Sequence, residues 1–238
     1  MPKKNSESGH AINLGKMAST VSIVESLGAT FQPAHEDIKP DALRTYFGDC
    51  DAAQTDVKNA EDAYDRAVNA RRDAYAGLRK LATRVINAYV DAGASAADVE
   101  DARAVNRKLQ GGQPKPAKDP GQDAEGKQNY STSQQSFISV ADHFDFLLRR
   151  VGSFAGYAPT DADLKKEALE DVRHALSTHN SAVDRAAMRL RDARDARKRL
   201  FYDGDRGMTA RSQRLRSYFK TRPGGIDPLK GIRFRRLE

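Results

Sequence analysis

The sequence predicts an all-α fold: an elongated bundle of about six helices, built from two three-helix repeats with long, coiled-coil-like helices. Three observations predict it. Phe31-Gln32-Pro33 returns as Tyr157-Ala158-Pro159, and at that same 126-residue offset ten of the 45 positions from 31 to 75 are identical. A segment so rich in Ala, Asp and Arg would give roughly four identities by chance. Second, apolar and small residues recur at alternating steps of three and four. Leu43, Tyr46, Cys50, Ala53, Val57 and Ala60 form one series; Leu169, Val172, Leu176, His179, Val183 and Ala186 form the other. The offset is a whole number of heptads, so both series keep one register. Third, 39% hydrophobic and 31% charged residues, with no Trp and a mean hydropathy of −0.72, suit long helices with narrow apolar stripes.

The elements follow in order. Repeat one occupies 1–110, and its first helix is expected near Asn13–Leu27. A turn carrying Pro33 leads to the long helix, which begins near Asp37–Pro40, where proline is tolerated because first-turn amides lack acceptors. A third helix over Leu78–Val90 is stopped by Gly93, and Asn106-Arg107-Lys108-Leu109 reads as an extended basic tail. Residues 111–134 hold Pro114, Pro116 and Pro120 with almost no aliphatic side chains, and read as a Gly/Pro-rich linker. Repeat two occupies 135–238. It repeats the order with a helix over Gln135–Ser153, a capping-box-like start at Thr160-Asp161-Ala162-Asp163, and a third helix over Thr209–Phe219. Pro223-Gly224-Gly225 ends that helix, and Phe234-Arg235-Arg236-Leu237 closes the chain as a second basic tail. Alanine-rich seams bury little area each, so the two repeats are expected to fold together as one unit.

Several function classes recede. No run approaches the roughly 18 apolar residues that span a bilayer, and no apolar segment follows the basic start Met1-Pro2-Lys3-Lys4-Asn5. The expectation is a soluble, cytoplasmic protein with no membrane partner. One cysteine, Cys50, excludes an intramolecular disulfide and a Cys-rich zinc site, and reads as a small buried hydrophobe. His174 and His179 do not share a helix face, and no Glu-x-x-His pair occurs. Asp203-Gly204-Asp205-Arg206-Gly207 lacks the remaining ligands of a calcium loop and reads as a helix-to-helix turn. No catalytic set, metal site or cofactor site emerges, so the reading is non-enzymatic. Arg71 and Arg197 hold the same seam position in both copies. Each is expected to reach solvent or a carboxylate, the alternative being a symmetric anion-binding pair.

Charge is the one functional clue. From Arg206 to Glu238 there are ten Lys/Arg against two Asp/Glu, while the rest of the chain carries thirty against thirty-one. Arg211, Arg214, Arg216, Lys220, Arg222, Lys230, Arg233, Arg235 and Arg236, with Tyr218, Phe219 and Phe234 among them, are the candidate anion- or nucleic-acid-binding residues. The competing reading has the tail packing back through Ile232, Phe234 and Leu237.

Ser133-Gln134-Gln135-Ser136-Phe137, Tyr157-Ala158-Pro159 and Gly231-Ile232-Arg233-Phe234 together resemble a duplicated helical-bundle protein family of Bacteroidetes with no established activity. The likeness covers most of the chain and implies an all-helical bundle without implying chemistry. Gly93-Ala94-Ser95 and Pro223-Gly224-Gly225 depart from the aromatic-Gly-x-x-Ser-type turn that precedes the tail in that family. The functional expectation is a binding protein whose basic C-terminal region engages nucleic acid, a ribonucleoprotein or an acidic protein surface. The alternative is a self-assembling scaffold, for which a homo-oligomer is the expected form.

Overall fold

The computed structural model describes residues 7–111, 135–224 and 227–237, and among them the chain forms seven α-helices, three 3-10 turns and no strand. The helices are α1 (Glu7–Ser26), α2 (Pro40–Ala74), α3 (Leu78–Asp91), α4 (Ala96–Gln110), α5 (Phe137–Ser153), α6 (Lys166–Tyr202) and α7 (Met208–Lys220). The fold is therefore an all-α helical bundle. Of the expected linker, residues 112–134 lie outside the described residues.

Local sequence explains where the helices begin and end. Lys39 is extended and Pro40 opens α2, the position where its fixed φ and missing N–H cost nothing. Gly77 and Gly93, both with φ of +81°, bound α3. The Ser95 side chain caps α4 by accepting from Asp98 N at 3.1 Å, and Ser136 caps α5 by accepting from Ser139 N at 3.0 Å. Gly207 is required at the α6–α7 turn, because a Cβ there would meet the Asp203 and Phe201 carbonyl oxygens at 2.6 and 2.8 Å.

Two expectations need correction. Asn106-Arg107-Lys108-Leu109 is not an extended tail but the last turn of α4, a fourth helix before the linker. Its N-terminal signal is Ser95-x-x-Asp98, followed by Val99, Ala102, Val105 and Leu109, all buried. Thr160–Asp163 does not cap the second long helix directly. Ala162–Leu164 forms a 3-10 turn, and α6 starts at Lys166.

The chain divides into two compact units along lines different from the sequence halves. One comprises 1–64 and 186–238, the other 65–185, so the divisions fall inside α2 and α6. The first unit buries Met17, Val21 and Val24 of α1, Leu43, Tyr46 and Cys50 of α2, Phe201 and Tyr202 of α6, and Met208, Leu215 and Phe219 of α7. The second buries Leu78, Val85 and Tyr89 of α3, Val99 and Leu109 of α4, Phe144 and Leu147 of α5, and Leu169 and Leu176 of α6. Along α6 the buried residues Leu169, Leu176, Val183, Leu190 and Arg197 fall seven apart.

Candidate nucleic-acid interface

All nine candidate cations belong to the first unit, on α7 and the segment after it. That unit carries 22 Lys/Arg against 16 Asp/Glu, most of the chain's formal net charge of +7. The nine do not form one uniform set. Arg211 is committed internally: its guanidinium lies 4.1 Å from the Tyr46 ring centroid, and it donates to the carbonyl oxygens of Arg206 and Asp37. Arg214 pairs with the Asp37 carboxylate. Arg216 donates to the carbonyl oxygens of Leu229 and Ile232, at 3.1 and 2.5 Å, with Asp227 at 3.9 Å. These three arginines hold α7 to its neighbours through their guanidinium groups, a structural use of charge.

The other six point outward. Lys220, Arg222, Lys230, Arg233, Arg235 and Arg236 are all exposed. Arg222 also donates to the Thr30 carbonyl oxygen at 2.6 Å and lies 5.5 Å from the Tyr218 ring centroid.

The terminal segment is anchored through its main chain. The Asn13 side chain of α1 donates to the Arg235 carbonyl oxygen at 2.6 Å and accepts from Arg235 N at 3.2 Å. Lys16 Nζ donates to the Arg233 carbonyl oxygen at 2.6 Å. Around these anchors Ile232, Phe234 and Leu237 pack against the first unit's core. The alternation is that of an extended chain, apolar residues inward and arginines outward. The packed-tail reading therefore accounts for the apolar residues, and it leaves Arg233, Arg235 and Arg236 displayed. Asn13 and Lys16 were not legible as partners of the tail, since only a polar residue at a core spacing, here Asn13, marks them in the sequence.

The remaining polar features are structural. Arg197 is 3% exposed and donates to Gln54 at 3.1 Å, whereas Arg71 is half-buried, 4.2 Å from the Phe137 ring centroid. The matched seam positions thus sit in different surroundings. His174 is exposed beside Glu170, at 3.4 Å, and His179 is half-buried on α6. Asp203 accepts from Asp205 N and Arg206 N, at 2.8 and 2.7 Å, which makes the 203–207 loop a helix-to-helix turn. Those backbone N–H groups hold the Asp203 carboxyl below its ordinary range. Burial pushes the Cys50 thiol up to about 12, so it is an unreactive core residue.

Among the described residues no group of His, Cys, Asp and Glu could hold a metal ion, and no helix is long and apolar enough to cross a membrane. Comparison with protein-family models finds no match, and comparisons with curated proteins and with solved structures find none either.

Proposed function

We propose that this chain is a non-enzymatic binding protein whose C-terminal basic segment engages nucleic acid. The observation that carries the reading is the tail's main-chain anchorage by Asn13 and Lys16, with Arg233, Arg235 and Arg236 left exposed. A segment already held in place loses little conformational entropy when its cations meet phosphates.

The reading extends to a duplicated chain with long helices of coiled-coil spacing. Elements at the 126-residue offset support it: the 3-10 turns Glu36–Ile38 and Ala162–Leu164, and the buried pairs Phe31 with Tyr157, Leu43 with Leu169, and Cys50 with Leu176. At the same offset, Arg211, Arg214, Arg216, Lys220 and Arg222 face Val85, Ala88, Val90, Ala94 and Ala96. Of these, Val85, Ala88 and Val90 lie in α3, so that helix carries no cation where α7 has Arg211, Arg214 and Arg216.

The test is titration of a labelled single-stranded RNA at two salt concentrations, with wild type and the Arg233→Gln/Arg235→Gln/Arg236→Gln variant. Glutamine keeps the tail's apolar contacts and main-chain anchors, whereas truncation would remove the fully buried Leu229. The expected result is steeply salt-dependent affinity whose log–log slope falls by about 2–3 in the variant. Binding that ignores salt, or a variant slope equal to wild type, overturns the proposal.

A further inference from the structure

The first unit contains a cleft of about 550 Å³ between the 33–38 turn and α7, lined among others by Pro33, His35, Ile38, Ala210, Gln213 and Ser217. The second unit contains a cleft of about 370 Å³ lined by Pro159, Asp161, Leu164, Arg84, Asn87 and Asp91. Each residue of the first set stands 126 positions from its counterpart in the second. One cleft therefore occurs twice in the chain, with different chemistry in each copy.

In the second unit, Arg84 reaches across its cleft to the carboxylates of Asp161 and Asp163. That copy is plugged by its own ion pairs and lined by acids. In the first unit Ala210 replaces Arg84, His35 replaces Asp161, Ser217 replaces Asp91 and Arg214 replaces Ala88. Arg84 with its ion pairs and the acids at 91 and 161 have no equivalent here, Asp205 is the acid that lines this cleft, and the space is larger.

The remaining wall is rigidly set. Arg214 pairs with the Asp37 carboxylate, Arg211 donates to the Asp37 carbonyl oxygen, and Asp37 Oδ1 lies 2.5 Å from His35 Nδ1. The imidazole is 55% exposed on this wall.

We infer that this cleft takes one unstacked base of a single-stranded nucleic acid, an inference that rests on the nucleic-acid reading above. The size suits a base with its sugar. Pro33, Ile38 and Ala210 give an apolar floor, and His35, Gln213 and Ser217 give a rim of donors and acceptors for a base edge. Residues on α7 advance by about 100° each, so Lys220 lies on the stripe beside Gln213 and Ser217. It stands between the cleft and Arg216, which holds the tail. Lys220 thus offers a strand one exposed cation on the cleft's side of α7.

The test compares wild type with His35→Ala/Gln213→Ala, both exposed side chains, using a short single-stranded RNA, the same strand annealed to its complement, and adenosine monophosphate. The His35 ring resonances are followed by NMR. The expected result is a roughly tenfold weaker single-strand affinity in the variant, unchanged duplex affinity, and His35 resonances shifted by the single strand. Single-strand binding with equal affinity in the two proteins, or unshifted His35 resonances, overturns the cleft inference and leaves the basic-tail reading standing. If no RNA binds wild type, the basic-tail reading fails. The nucleotide then decides the cleft alone: shifted His35 resonances retain it as a nucleotide site, and unshifted ones reject it.

Discussion

Asn13→Ala tests the anchorage on which the basic face depends. Asn13 is 1% exposed, and three hydrogen bonds end on its amide: to the Tyr202 hydroxyl at 3.2 Å, to the Arg235 carbonyl oxygen at 2.6 Å, and from Arg235 N at 3.2 Å. Each is worth about 1 kcal/mol net, and a donor or acceptor left buried without a partner costs about 1–3 kcal/mol. The tail has an escape, because it can lift away and let water take the Arg235 main chain. That route forfeits the packing of Phe234 and Leu237 on the first unit's core. The expected loss is therefore about 2–3 kcal/mol, between the bare hydrogen bonds and full burial of unpaired groups. In urea this moves the midpoint down by about 1 M for a chain of this size. Hydrogen exchange locates the effect: the Arg235 amide loses protection first, before amides in the middle of α1. A midpoint within about 0.2 M of wild type, or unchanged Arg235 protection, would mean that the amide bridge does not hold the tail.

Further outcomes follow from the same geometry. Gly207→Ala places a methyl group against the Asp203 and Phe201 carbonyl oxygens, and a thermal melt should show about 1–3 kcal/mol of destabilisation. Cys50 should resist a thiol reagent at pH 8 in the native protein and react on addition of denaturant; labelling without denaturant would place the thiol outside the core. Stability should fall under acid. Asp203, Asp163 and Glu170 all titrate below their ordinary values, the first through backbone N–H groups and the others through Arg84 and Arg173. A depressed folded value contributes stability that is full above the unfolded value of about 4 and is lost as pH falls through the folded one. Urea midpoints measured from pH 6 down to pH 2 should therefore decline below about pH 4, and Asp203→Asn should shrink that decline.

The fold was legible where burial follows apolar spacing, and illegible where polar groups do the same work. Leu43, Cys50 and Val57 of α2, and Leu169, Leu176 and Val183 of α6, are buried as the three-four spacing predicts. In α1 the buried stripe runs His10, Asn13, Met17, Thr20, Val21 and Val24, so half of it is polar. That mixture hid the helix's first turns, and it also hid the side chains that bind the tail. For α4, the Gly93-Ala94-Ser95 stop was read as the end of helical structure, when its serine is the cap of the next helix.

For the site, net charge located the region but could not divide it. Arg211, Arg214 and Arg216 have the same residue type and spacing as cations that meet a ligand; their partners are Asp37, Tyr46 and the Leu229 and Ile232 carbonyls, all distant in sequence or on the main chain. Alignment at the 126-residue offset does not divide them either. Arg211, Arg214 and Arg216 align at the 126-residue offset with Val85, Ala88 and Val90, yet all three hold α7 to its neighbours. Arg214 also pairs with Asp37, two residues from His35, so its structural role in the first unit supports the wall of the cleft proposed there. On the proposed duplicated reading, the divergence between the two clefts, rather than the excess of positive charge, is the stronger reason to look for a ligand on this unit.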